Sequence, residues 1–148
     1  MSLIKVGSAP QLLGNIDIVC PEMMFTLYLP VVMPGTDVRL PPNLEFCREV
    51  LSKIDYASDE YVYLTVKSRY VTPESRGREG WHLDGFGTDD INYVWSDAHP
   101  TEFCIQECEV SNDCRLSMQE LEAQVREENI ITYPNKTLVR MDLSLIHI

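Results

Sequence analysis

Positive charge is scarce in this chain, and the shortage sets the first limits. Twelve Lys and Arg stand against 23 Asp and Glu, a formal net charge of −11. The richest basic run, Lys67 to Arg78, holds only four basic residues. Proteins that grip nucleic acid or anionic lipid through their phosphates need a basic patch or stripe. Neither is expected as the main partner, although a local pocket could still hold a small anionic cosubstrate. Long apolar runs are missing too. The longest, Met23 to Met33, is interrupted by Thr26 and Pro30 and is too short to cross a membrane. The start, Met1 to Gly14, carries one basic residue, Lys5, and lacks the apolar run of a secretory leader. No Gly-x-Ser-x-Gly elbow, Walker loop or dinucleotide fingerprint occurs, which removes the usual signs of serine hydrolases and nucleotide binders.

What is present is ordinary for a globular chain. Its 148 residues, 45% hydrophobic and 24% charged, suffice for one domain with one sizeable core. There are five cysteines: Cys20, Cys47, Cys104, Cys108 and Cys114. The odd count predicts reduced thiols in a cytoplasmic setting. The last three have the spacing Cys-x3-Cys-x5-Cys with no fourth nearby, whereas structural zinc usually takes four ligands in close pairs. If Thr101 to Val110 is one strand, Cys104 and Cys108 stand about 13 Å apart. Buried or free thiols fit better than a zinc site unless that strand bends.

Residues 1–40 read as an N-terminal cover, with extended segments at Ile16–Val19 and Phe25–Val32 punctuated by Pro21, Pro30, Pro34 and Gly35. Pro41-Pro42-Asn43 opens a helix over Leu44–Ile54, with Leu44, Cys47, Val50, Leu51 and Ile54 at helical spacing. Tyr61–Thr72 has the strongest strand pattern, with Tyr61, Tyr63, Thr65, Lys67 and Arg69 on one face. Further strands are predicted at Ile91–Trp95, Thr101–Val110, Ile130–Tyr133 and Thr137–Met141, the last two across a turn at Pro134-Asn135. Ser117, with Glu120 three residues on, fits a capping box for an inserted helix reaching Asn129. Glu120, Glu122, Glu127 and Glu128 read as its solvated face. Short strands at close spacing without βαβ alternation suggest an antiparallel barrel or sandwich.

One stretch concentrates chemistry: Gly80-Trp81-His82-Leu83-Asp84-Gly85-Phe86. At a strand end, residues two apart point to the same face. His82 and Asp84 can therefore aim a nitrogen and an oxygen at one point, two of the three ligands in a two-His-one-carboxylate facial triad. Without a third ligand the pair is a surface His and a turn Asp.

A strand ending in Trp-His-x-Asp-Gly-Phe, after a Tyr-rich strand and a Gly/Arg loop, resembles the iron(II)- and 2-oxoglutarate-dependent oxygenases. The runs Asp89-Asp90-Ile91-Asn92-Tyr93 and Pro100-Thr101-Glu102-Phe103 look compatible with a microbial or phage branch of that family. The resemblance covers Tyr61 to Asp142. It implies a mainly β (α+β) fold: a double-stranded β-helix (jelly-roll, cupin-like) core over 61–142, with an N-terminal helix and an inserted helix. It implies Fe(II) held by His82, Asp84 and a distal His, with 2-oxoglutarate as cosubstrate. It also implies oxidative decarboxylation to succinate and CO2, coupled to oxidation of a small-molecule or side-chain substrate. His147 lies where the family places its distal His; His99, beside Pro100, reads as a turn residue. The family's cosubstrate is gripped by an Arg or Lys, often shortly after the distal His. Tyr63 and Arg69 are the candidates here, ahead of Lys67 and Arg140, which read as solvated and structural residues.

Leu143-Ser144-Leu145-Ile146-His147-Ile148 looks like the in-frame translation of a transposon-end adapter. The expectation is that Asp142 is the last native residue and that the family's final core strand is missing. A jelly roll cut there leaves an open edge, so the chain is expected to be unstable or inactive alone. Two other readings use the same residues: a non-catalytic cupin-like binding or phage structural module, and a metal hydrolase.

Overall fold

The chain opens with strands rather than a helix. The computed structural model describes residues 3–68, 80–84, 89–98, 101–142 and 144–147, and for Leu145 and His147 the backbone alone. These residues are mainly β, with antiparallel pairing throughout and two α-helices. The chain divides into two compact units, Met1–Asn15 with Thr72–Ile148, and Ile16–Val71. The segment 1–40 is thus shared between them.

In the second unit β3 (Phe25–Val32) pairs antiparallel with β4 (Val62–Lys67). The alternation predicted for β4 is observed: Val62, Leu64 and Val66 are half-buried, while Tyr63, Thr65 and Lys67 are exposed. The predicted helix at Leu44–Ile54 is shorter. A 3-10 turn, Pro42–Cys47, runs into a single α turn, α1 (Arg48–Leu51). Ser52 Oγ then donates to Glu49 O at 2.6 Å, the local competition by which serine closes helices. The apolar stripe still serves its purpose, since Leu44, Cys47 and Leu51 are buried. Val31, Val32 and Leu51 anchor this unit's core, flanked by Leu29, Ile54, Val62 and Leu64. Burial pushes the Cys47 thiol up to about 11, with a smaller contribution from Cys20.

The first unit holds the rest. β1 (Leu3–Val6) pairs with β7 (Cys108–Ser111). A second sheet has β6 (Glu102–Cys104) between β8 (Ile130–Thr132) and β10 (Leu145–His147). A third has β9 (Thr137–Met141) between β2 (Gln11–Asn15) and β5 (Asn92–Val94). β8 and β9 therefore flank the Pro134-Asn135 turn without pairing to each other. Two apolar clusters fill the unit. One joins Val6, Trp81, Leu83, Cys104, Cys108, Val110 and Leu121; the other joins Phe103, Val139, Met141 and Ile146.

The strand predicted over Thr101–Val110 is broken between Cys104 and Cys108. Gly7 packs against the break. It lies at φ 99°, and a Cβ there would sit 1.9 Å from the Gln106 carbonyl oxygen. The Gln106 side chain turns to the helix that follows. Its Nε2 donates to Gln124 O at 2.6 Å, and its Oε1 accepts from Arg126 N and Asn129 Nδ2 at 3.0 and 3.1 Å. Cys104 and Cys108 become buried thiols on either side of this amide, with Gln106 Oε1 3.6 Å from Cys104 Sγ and Nε2 3.5 Å from Cys108 Sγ. Burial raises both thiols above the usual range.

That helix, α2 (Cys114–Gln124), begins before Ser117. Asp113 is extended, at φ −145°, and its Oδ1 accepts from Leu116 N at 2.9 Å. This is an N-cap. Ser117 is buried instead and donates to Cys114 O. Glu120 is not a capping-box partner either: it accepts from the backbone and hydroxyl of Ser111 at 2.6 and 2.5 Å, tying α2 to β7. Glu122, Glu127 and Glu128 are exposed, as expected of a solvated face, whereas Glu120 is half-buried.

Candidate metal centre

The Trp81–Leu83 segment lies in the first unit and alternates as a strand should. Trp81 and Leu83 enter the cluster with Cys104 and Leu121. His82, between them, faces the other way and is 2% exposed. Its backbone forms a two-bond antiparallel bridge with Ile146: His82 N donates to Ile146 O and Ile146 N to His82 O, both at 3.0 Å. Ile146 is also the register partner of Phe103 on β6. Directly opposed residues share a face, so His82, Ile146 and Phe103 line one side of these neighbouring segments.

The imidazole is held from both ends. Nδ1 lies 3.1 Å from the Gly80 carbonyl oxygen. A carbonyl oxygen can only accept, so Nδ1 carries the proton. Nε2 lies 3.5 Å from Asp84 Oδ1. In the neutral ring Nε2 is then a lone-pair donor beside a carboxylate oxygen, the arrangement a metal-binding histidine needs. In the protonated ring the same atoms form an ion pair. His82 is buried while the Asp84 side chain is 40% exposed, so the pair sits at the edge of the apolar layer.

The segment leading into His82 is pinned by α2. Trp81 N donates to Glu122 Oε1 at 3.1 Å. Gly80 has φ 79°, and a Cβ there would meet Glu122 Oε1 at 2.6 Å. Gly80→Ala is therefore expected to destabilise the fold by about 1–2 kcal/mol, through the left-handed backbone and displacement of Glu122. Urea denaturation checks this; a change within about 0.5 kcal/mol, the range of an ordinary surface substitution, would contradict the geometry.

The predicted site residues distribute unevenly. His82 and Asp84 meet. β10 carries the backbone of His147 beside Ile146, in register with Glu102. Tyr63 belongs to the second unit, 58% exposed and stacked on Tyr61 with centroids 5.9 Å apart at 13°. Arg69 and His99, like Gly85 and Phe86 of the motif, lie outside the described residues. Arg140 pairs through its backbone with Tyr93 and Gln11 in the third sheet. Among the described residues no three His, Cys, Asp or Glu side chains converge as a metal group. The chemistry of the pair, an imidazole nitrogen beside a carboxylate oxygen 3.5 Å away, is that of two possible metal donors. Sequence reasoning named Gly80 in the motif and Glu122 on a helix face, but not the contact between them. A positive-φ glycine before Trp-His leaves no mark in the residue string, and Glu122 lies 41 residues from its partner. Compared with protein-family models, curated proteins and solved structures, this chain matches none of them.

Proposed function

We propose that the chain carries the non-haem Fe(II) site of a 2-oxoglutarate-dependent oxygenase of hydroxylase type, on a jelly-roll core. The observation behind this reading is the His82–Asp84 pair. One imidazole has its Nδ1 proton committed to Gly80 O, leaving Nε2 3.5 Å from a carboxylate oxygen. The proposed third ligand, His147, comes only from the family resemblance; the residue opposed to His82 on β10 is its neighbour Ile146. The antiparallel sheets around β6 and β9 support the jelly-roll reading. Fe(II) supplies redox chemistry and open positions for 2-oxoglutarate and dioxygen. The residues named here hold that ion: His82 as a neutral nitrogen donor, Asp84 as the charged oxygen donor. Ile146 and Phe103 form the apolar floor beside them.

A second reading gives the same two donors to a hydrolytic metal ion, for which a neutral imidazole and a carboxylate are equally suitable ligands. Cosubstrate dependence separates the two. The oxygenase reading predicts that the full-length protein with Fe(II), 2-oxoglutarate and air forms succinate, and that Asp84→Ala abolishes it. Succinate no higher than with Fe(II) alone would exclude the oxygenase and leave the hydrolytic site.

A further inference from the structure

Three hydrogen-bonding elements meet at one peptide group. The unit joining Gly80 to Trp81 offers its carbonyl oxygen to His82 Nδ1 at 3.1 Å and its N–H to Glu122 Oε1 at 3.1 Å. The two bonds lie at opposite ends of the same amide. From these contacts we infer that Glu122 is a positioning residue for His82, acting through a carboxylate–peptide–imidazole relay. The inference rests on the metal-centre reading above.

The chemistry follows from amide resonance. A carboxylate accepting the N–H draws that proton and enriches the carbonyl oxygen at the other end, so hydrogen bonds in a chain strengthen one another. A stronger acceptor at Gly80 O holds the Nδ1 proton more firmly and makes Nε2 a better donor. Metal-binding histidines commonly give their second N–H to a carboxylate or carbonyl, and losing that partner costs 10–100-fold in metal affinity. Here the carboxylate acts one peptide further out. Gly80 permits the close approach, because any Cβ would strike the Glu122 oxygen. α2 supplies a rigid mount: Leu121, beside Glu122, is fully buried against Trp81 and Leu83. Glu122 thus presents its charge from a fixed helix, although its partner sits at a strand end.

Two substitutions separate charge from geometry. Glu122→Gln keeps an acceptor for Trp81 N–H but removes the charge. Glu122→Ala removes both. The first readout is the tautomer of His82 in the metal-free protein, from the 15N shifts of its ring at a pH where the ring is neutral. The relay predicts the Nδ1–H tautomer in the unmodified chain and in Glu122→Gln, and a mixture of tautomers in Glu122→Ala. The second readout is Co(II) affinity. It is expected to fall about tenfold in Glu122→Ala, the lower end of the range for an outer partner, and by less in Glu122→Gln. A wild-type tautomer and wild-type Co(II) affinity in Glu122→Ala would overturn the relay. If Glu122→Ala fails to fold, Glu122→Gln decides: Co(II) affinity within a factor of two of wild type overturns the relay. If the unmodified chain binds no Co(II), the metal-centre reading falls, and the relay stands or falls on the tautomer.

Discussion

Replacing His82 with alanine is expected to weaken metal binding by more than a hundredfold and to remove 2-oxoglutarate turnover. Loss of an outer hydrogen-bond partner alone costs roughly 10–100-fold in affinity, and His82 is proposed as a ligand itself. The substitution has a second effect, because the ring is buried and makes a hydrogen bond with Gly80 O. Removing it leaves a void and an unpaired carbonyl, for about 2–3 kcal/mol of stability. Asp84→Ala is therefore the cleaner companion. The Asp84 side chain is 40% exposed, so its loss should leave the melting behaviour nearly unchanged while removing the oxygen donor. Metal isotherms alongside urea denaturation separate the two effects. Unchanged affinity in a folded Asp84→Ala protein would mean that the carboxylate is not a ligand.

The largest expected effect on the fold comes from Phe103→Ala. Phe103 is 2% exposed and lies in the middle of β6. It is in register with Ile146 of β10 on one side and Ile131 of β8 on the other. It packs with Val139 and Met141, and its ring meets Tyr133 at 5.5 Å and 50°. Truncation at such a site costs about 3–5 kcal/mol, from lost transfer free energy and the cavity left behind. Because Ile146 bridges to His82, metal affinity should fall with it. A urea midpoint shift equivalent to less than about 1 kcal/mol would show that this cluster does not carry the sheet.

Much of the architecture was legible in the sequence because it depends on short periods. The strand at Thr137–Met141 has the predicted bounds. The two faces of β4 follow from the alternation of Tyr, Val and Thr. The meeting of His82 and Asp84 follows from spacing by two at a strand end. What failed to show depends on residues far apart in the chain. At the break between β6 and β7 the chain meets Gly7, about a hundred residues before Gln106, where a Cβ would strike the Gln106 carbonyl. The start of α2 turned on a contest between two cap residues. Asp113 won because Ser117 packs into the interior and Glu120 is committed to Ser111. Glu122 is the exposed acid its position suggested, and it also accepts from the Trp81 backbone, 41 residues away. The final residues, which look like an adapter translation, carry Ile146, 1% exposed and bridged to His82, on an outer strand of the β6 sheet.

The most direct test of the central claim, that His82 and Asp84 share one metal ion, is a Co(II) titration of the full chain followed by its visible absorption. It is repeated with His82→Ala and Asp84→Ala, and then with 2-oxoglutarate added. The account predicts one equivalent bound, loss of the bands in both variants, and a change in the spectrum when the cosubstrate enters. Absence of binding, or an identical spectrum in both variants, would contradict it.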